Sequence, residues 1–344
     1  MTTLGGKKSR IAFAIEATYG TNPATGYLTI GQIQGEPQVT VNNQLIPIHA
    51  SGRINTRNIL AGQVQVGATI DYYAQDATFL IAAIGDLDTT SPVTNTSNYI
   101  HYGTTEDSTS TTATPVEYES KAYSLSVGLE NGTTDDVLSL TGCKTNSISV
   151  TLSQTEPLKV SADIIAQNVT YETTAQAITE ITYGPWMYHD KGTINLDSVT
   201  IADMTELTFT VDNGLNRVYG ILPTSKKRAI TDLLQGDRGI SGSITFNYDG
   251  SYTELSKLFS DQANAVTPSN DKVKEFTITC LLDNNETTTV ADYRAIYIEL
   301  TGVKLGELTK RIPQDGNAVT EAYNFTATNV DIKGYDATAS DPWS

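Results

Sequence analysis

The residues of this chain that could do chemistry are three histidines, two cysteines and one pair of adjacent aspartates. His49, His101 and His189 stand far apart, with none of the short spacings that bring imidazoles onto one metal ion. Cys143 and Cys280 form no CxxC pair, so the sequence predicts small buried thiols and no disulfide framework. Asp135–Asp136 follows a Gly-Thr-Thr turn, which suits either a calcium ligand pair or a solvated turn. No Walker motif, GxSxG, HExxH or GxGxxG occurs, and no carboxylate pair sits where its two pKa values would be driven apart. The expectation is no catalytic residue, no metal site, no cofactor and no enzyme.

What the sequence does contain is alternation. In Gln63–Tyr72 the residues Val64, Val66, Ala68, Ile70 and Tyr72 share one face, and Gln63, Gln65, Thr69 and Asp71 share the other. That period of two is a strand with one dry and one wet face. The pattern returns at 237–248, with Ile240, Ile244, Phe246 and Tyr248 opposite Asp237, Ser241, Ser243, Thr245 and Asn247. The stretches before and after these strands also recur in order. VTVNNQL (Val39–Leu45) is echoed by FTVDNGL (Phe209–Leu215). A helix-spaced run at 76–85 is echoed at 251–261. TGCK (Thr141–Lys144) is echoed by TGVK (Thr301–Lys304), and Asn168–Val169 by Asn329–Val330. An ordered series of this kind reads as an internal duplication.

With 344 residues there is room for two domains. The expected division is an N-terminal arm (1–26), a β domain (27–171), a linker (172–192), a second β domain (193–335) and a tail (336–344). The arm either adds a strand to a neighbouring chain or packs on its own domain. ETTAQAITEIT in the linker suggests a short helix. The Thr- and Ser-rich segment 86–119 reads as a surface loop, and its core at 104–115 has almost nothing to bury. The connections at 50–60 and 221–234 are basic, through Arg53 and Arg57 and through Lys226, Lys227 and Arg228. These residues suit protruding loops that meet acidic surface elsewhere, as candidate contacts between subunits.

Charged residues make up 18% of the chain and the formal net charge is −17, which argues against a nucleic-acid grip. It does not exclude a surface that nucleic acid passes without sticking. No run is long and apolar enough for a membrane span, and Glu16 interrupts the one leader-like stretch, so synthesis in the cytoplasm is expected.

GRINTRNILAGQVQVGATIDYYAQDATFLIAAIG, taken with the leader IAFAIEATYGTNPA, resembles the tail tube (major tail) proteins of long-tailed, non-contractile bacterial and archaeal viruses. The resemblance is best over residues 11–85 and reaches the second half through the repeat. It implies an all-β fold of tail-tube-type β-sandwich or barrel units, each with one short flanking helix. It implies rings of six units whose inner sheets join around a lumen, stacked into a tube for the genome. Doubling the unit within one chain makes a trimeric, pseudo-hexameric ring the expected form. The polar residues of the two alternating strands would line the lumen and would meet double-stranded DNA only in passage. A tape-measure protein and tail-end or terminator proteins are the implied partners, and the virion tail, assembled in host cytoplasm, the implied location. The competing readings are a tandem β-sandwich adhesin or carbohydrate-binding protein, and a β-sandwich hydrolase.

Overall fold

Alternating side chains need a sheet with one dry face, and the long strands form where the alternation is strongest. The structure is a computed structural model that describes residues 9–49, 51–52, 55–56, 58–85, 88–90, 99–104, 120–129, 135–180, 192–196, 199–200, 204–220, 228–247, 275–283, 295–313 and 318–336. The first half of the chain forms β1 (Ser9–Ile15), β2 (Tyr27–Thr29), β3 (Gln32–Ile48), β4 (Asn58–Tyr73), helix α1 (Thr78–Ile84), β5 (Asp88–Thr90), β6 (Tyr99–Thr104), β7 (Tyr123–Leu129), β8 (Asp136–Ser153), β9 (Lys159–Ala166), β10 (Asn168–Glu172) and β11 (Ile178–Thr179). The second half forms β12 (Gly192–Leu196), β13 (Val199–Thr200), β14 (Met204–Asp212), β15 (Asn216–Val218), β16 (Asp232–Leu234), β17 (Gly239–Asn247), β18 (Phe276–Asp283), β19 (Ala295–Arg311), β20 (Thr320–Ala327) and β21 (Asn329–Asp336).

Eight of these strands make one antiparallel central sheet in the order β3-β4-β9-β8-β14-β17-β20-β19. The pairing order of the first four strands is repeated by the last four, rung for rung. Val41 faces Val66 as Val211 faces Ile240, and Ile70 faces Ala162 as Ile244 faces Tyr323. An outer sheet, β11-β2-β1-β7-β8-β10, flanks the first half, and another, β13-β12-β18-β19-β21-β6-β5, flanks the second. The dry face of the central sheet and the facing sides of the outer sheets share one continuous apolar core.

The Thr-Gly-x-Lys repeats have a structural reason. β8 and β19 each start in an outer sheet and end in the central one, and the turn of the corner falls at Gly142 and Gly302. Both glycines have φ of 61°, a left-handed conformation that side chains resist. A Cβ would also lie 2.7 Å from Gln167 Cβ at Gly142, and 2.1 Å from Thr328 Oγ1 at Gly302.

Helix α1 is buried along its whole length. Its Phe79 meets Phe13, Tyr72 and Tyr123 edge-on, with ring centroids 5.1, 5.8 and 5.5 Å apart. Asn213 ties the helix to the central sheet by donating to Ala83 O (3.0 Å) and Thr145 O (2.8 Å). The buried carboxylate of Glu16 holds the end of β1 against the Gly142 corner. It accepts from Gly20 N (2.6 Å), Ser124 Oγ (2.6 Å) and Gly142 N (2.8 Å). Glu16→Ala strands these donors, so a loss of about 3 kcal/mol in urea unfolding is expected. An unchanged midpoint would show that water replaces the carboxylate at no cost.

β1 pairs with β2 and β7 of its own chain, the second of the two arrangements expected for the arm. Other expectations change. The stretch after Glu172 forms no helix at 173–180. Its Ile178 instead enters the short parallel strand β11 and packs near Ala12, Ala14 and Tyr27. Within the segment read as loop, β6 is a strand that crosses to β21 of the second half. The echoed stretch Phe209–Leu215 is strand only as far as Asp212, whereas Val39–Leu45 is strand throughout, and the break at Asn213–Leu215 holds Gly214 at φ of 57°. The second helical run at 251–261, the loop core at 105–115 and the linker at 181–191 lie outside the described residues.

Candidate functional site

The candidate site is the wet face of the central sheet. Because side chains alternate, every second residue of β4 and β17 is delivered to it, and the pairing decides which neighbours join them. Thr69 stands between Gln38 of β3 and Asp163 of β9, and Asp71 stands beside Ser161. Ser241 lies between Thr210 and Thr326, Ser243 between Thr208 and Asn324, and Thr245 between Glu206 and Ala322. Asn247 faces Thr320. Gln65 pairs with Asn42, while Gln63 and Asp237 are exposed where the ladder leaves the sheet. The sheet therefore brings the sequence-derived polar residues of both halves onto one surface.

The seam between the halves was not legible from sequence. It is the β8–β14 pair, where Thr208 Oγ1 donates to Thr151 Oγ1 (3.3 Å) and Thr210 Oγ1 to Ser149 Oγ (3.1 Å). The alternation of NSISVTLSQ marks Ser147, Ser149 and Thr151 as the wet side of β8, but nothing local says which strand lies beside it. The seam adds charge to the face. Asp71, Asp163, Glu206 and Asp212 share it with Lys159, and a shallow depression of about 470 Å³ lies between Asp71, Lys159 and Glu206. Lys159 departs from the Lys-free lining expected from β4 and β17 alone. Lys304 and Arg311 of β19 stand opposite Thr326 and Thr320 on the same face, which is otherwise predominantly hydroxyl, amide and carboxylate.

Of the basic residues singled out, Arg53, Arg57, Lys226 and Lys227 lie outside the described residues. Arg228 turns to its own chain. Its Nε donates to Gly62 O and its Nη2 to Asn43 Oδ1 (3.1 Å), while its carbonyl accepts from Val64 N (2.9 Å). Among the described residues no cluster of His, Cys, Asp and Glu could hold a metal, and no helix is long and apolar enough to cross a membrane. Asp135 Oδ2 accepts from Ala175 N (2.9 Å) and so ties the start of β8 to the stretch after β10.

Each end of the central sheet is an open edge. Among the described residues β3 pairs only with β4, and the last part of β19 (304–311) only with β20. The chain is thus an all-β protein whose central sheet has one dry face, one polar face and, among the described residues, an unpaired edge at each end. The chain belongs to the phage tail tube protein family, which matches residues 6–330. It is a non-catalytic structural component of the virion tail, and the family implies self-assembly into a tube. No curated protein matches the chain.

Proposed function

We propose that three copies of this chain close into a ring, that rings stack into the tail tube of a long-tailed, non-contractile virus, and that the genome leaves through the lumen. In this reading residues 27–171 and 193–335 are two tube-type units, preceded by the arm 1–26, joined by 172–192 and followed by the tail 336–344. The observation that carries it is the β8–β14 seam. Inside one chain the last central strand of the first unit pairs with the first central strand of the second. The edges left over are the same two strands of the repeat, β19 and β3, so the same pairing between copies uses up every edge. Transferring the internal register sets Leu308 opposite Val41 of the neighbouring copy, Thr309 opposite Thr40 and Lys310 opposite Val39.

Unpaired sheet edges invite association, and a rotation that closes turns it into a ring. Three eight-stranded sheets make a barrel of about twenty-four strands, roughly 48 Å across its backbone at ~4.8 Å spacing and ~40° tilt. That admits a DNA duplex, while six chains would make a far wider channel. The wet face then lines the lumen, and the basic loops with Arg53, Arg57, Lys226 and Lys227 meet acidic surface of the next ring. A tape-measure protein in the lumen and terminator proteins at the tube ends are the partners this arrangement calls for.

Electron microscopy of the assembled tube tests the count. Threefold symmetry with three chains per ring is expected. A ring of six chains overturns the proposal.

A further inference from the structure

The outer part of the β3–β4 hairpin carries Leu45, Ile46, Ile48, Ile59 and Leu60, all exposed. Its counterpart in the second half is the pair β15–β16. The rungs Ile46↔Leu60 and Pro47↔Ile59 match Asn216↔Leu234 and Arg217↔Leu233. That second arm is not exposed at the matching place. Leu233 is 0% exposed where Ile59 is 58% exposed. It is seated on the first half of its own chain. There Ile230 and Leu233 join Ile165 and Tyr19 in one apolar cluster, Lys144 Nζ donates to Leu233 O (3.2 Å), and Gln167 Nε2 donates to Thr231 O (3.3 Å).

The receiving surface is repeated too. Lys144 corresponds to Lys304, Ile165 to Thr326 and Gln167 to Thr328, by the shared corner and the shared β8–β9 and β19–β20 rungs. In the first half Lys144 and Ile165 are buried by the arm. In the second half Lys304, Thr326 and Thr328 are all exposed. Among the described residues Lys304 there reaches a surface carboxylate, Glu275 Oε1 at 2.7 Å. Among the described residues one arm lacks a seat and one seat lacks an arm.

We propose that the outer β3–β4 arm of each copy docks on the Lys304–Thr326–Thr328 surface of the neighbouring copy, with the Lys304 ammonium donating to the carbonyl of Ile59. The occupant is a second copy of this chain, because the chain already holds the same arm on the same seat in cis. The dock rests on the ring reading above and lies on the same side of the β3–β19 seam as the internal dock lies of the β8–β14 seam. Thr326 in place of Ile165 makes the seat less apolar than its internal counterpart. The intermolecular dock is therefore the weaker of the two, as befits a contact made only on assembly.

The test uses the full chain with Ile59→Cys, alone and with Thr326→Cys. Both native thiols are buried, and burial pushes that of Cys280 up to about 12, so background labelling is low. Maleimide labelling of Ile59→Cys is expected to fall at least tenfold from monomer to assembled tube. Oxidation of the double variant in tubes is expected to link chains in a series that stops at three. Labelling at the monomer rate in intact threefold tubes overturns the dock and leaves the ring reading standing. A cross-linked ladder that runs past three chains overturns it in favour of a contact between stacked rings. Six-chain rings overturn both. Lys304→Ala, an exposed change that spares the fold, is expected to lower ring yield about tenfold, with recovery in Lys304→Arg; wild-type yield in the alanine variant also overturns the dock.

Discussion

Val41→Lys is expected to leave the chain folded and to abolish ring closure. In the free chain Val41 lies on the open edge and is 47% exposed, so a lysine there keeps its charge in water. Its counterpart Val211, inside the internal seam between Ile148 and Ile240, is 0% exposed. Closing the ring would put the edge residue in the same place, facing Leu308, with the Lys310 ammonium two residues along the same face and the Glu321 carboxylate already accepting from Lys310 Nζ and Tyr323 Oη. Burying an unpaired ammonium costs several kcal/mol, and the cost recurs at each of the three seams. Assembly should fall by more than about a thousandfold, given tenfold per 1.4 kcal/mol. Far-ultraviolet circular dichroism and the urea midpoint should stay at wild-type values while mass measurement finds only monomer. Rings at wild-type concentration would show that β3 does not meet a neighbouring strand on that face.

Gln65→Lys combined with Asp71→Lys should have the opposite profile, with normal tubes and failed delivery. Both positions lie on the wet face, outside the core and on β4, one strand in from the proposed seam, so neither change alters the strand pairing that would close the ring. What changes is the lumen. Each ammonium that meets a passing phosphate adds affinity, with a salt slope of about −0.9 in log–log terms per contact. The contacts repeat in every ring along the tube. Infectious titre should drop by orders of magnitude at unchanged particle number, and ejection in vitro should recover as salt is raised. Particles that deliver normally would show that this face does not line the path of the genome.

The dry faces of β4, β8, β9 and β17 were legible in the sequence because alternation is a local property. Ile70, Val150, Val160 and Ile244 are each buried at the positions their period requires. The same logic put Thr69 and Ser243 on the opposite face before any pairing was known. Helix α1 was legible from the spacing of Phe79, Leu80, Ala83 and Ile84. The Thr-Gly-x-Lys repeat was visible, but not its reason, because a left-handed φ at Gly142 and Gly302 follows from a strand changing sheets. β6 was lost within a Thr- and Ser-rich segment, and its pairing with β21 is set by a strand more than two hundred residues away.

By itself, then, the sequence determined the all-β class, the two faces of each long strand, the repeat, and the absence of motifs for catalysis. These depend on residue type and on spacings of a few residues. Only the tertiary structure decided that β8 lies beside β14, that Arg228 grips the first hairpin, that one arm is seated and the other bare, and that β3 and β19 end the sheet. Which strands become neighbours is a competition among distant segments for the same backbone donors and acceptors, and no local pattern records its outcome.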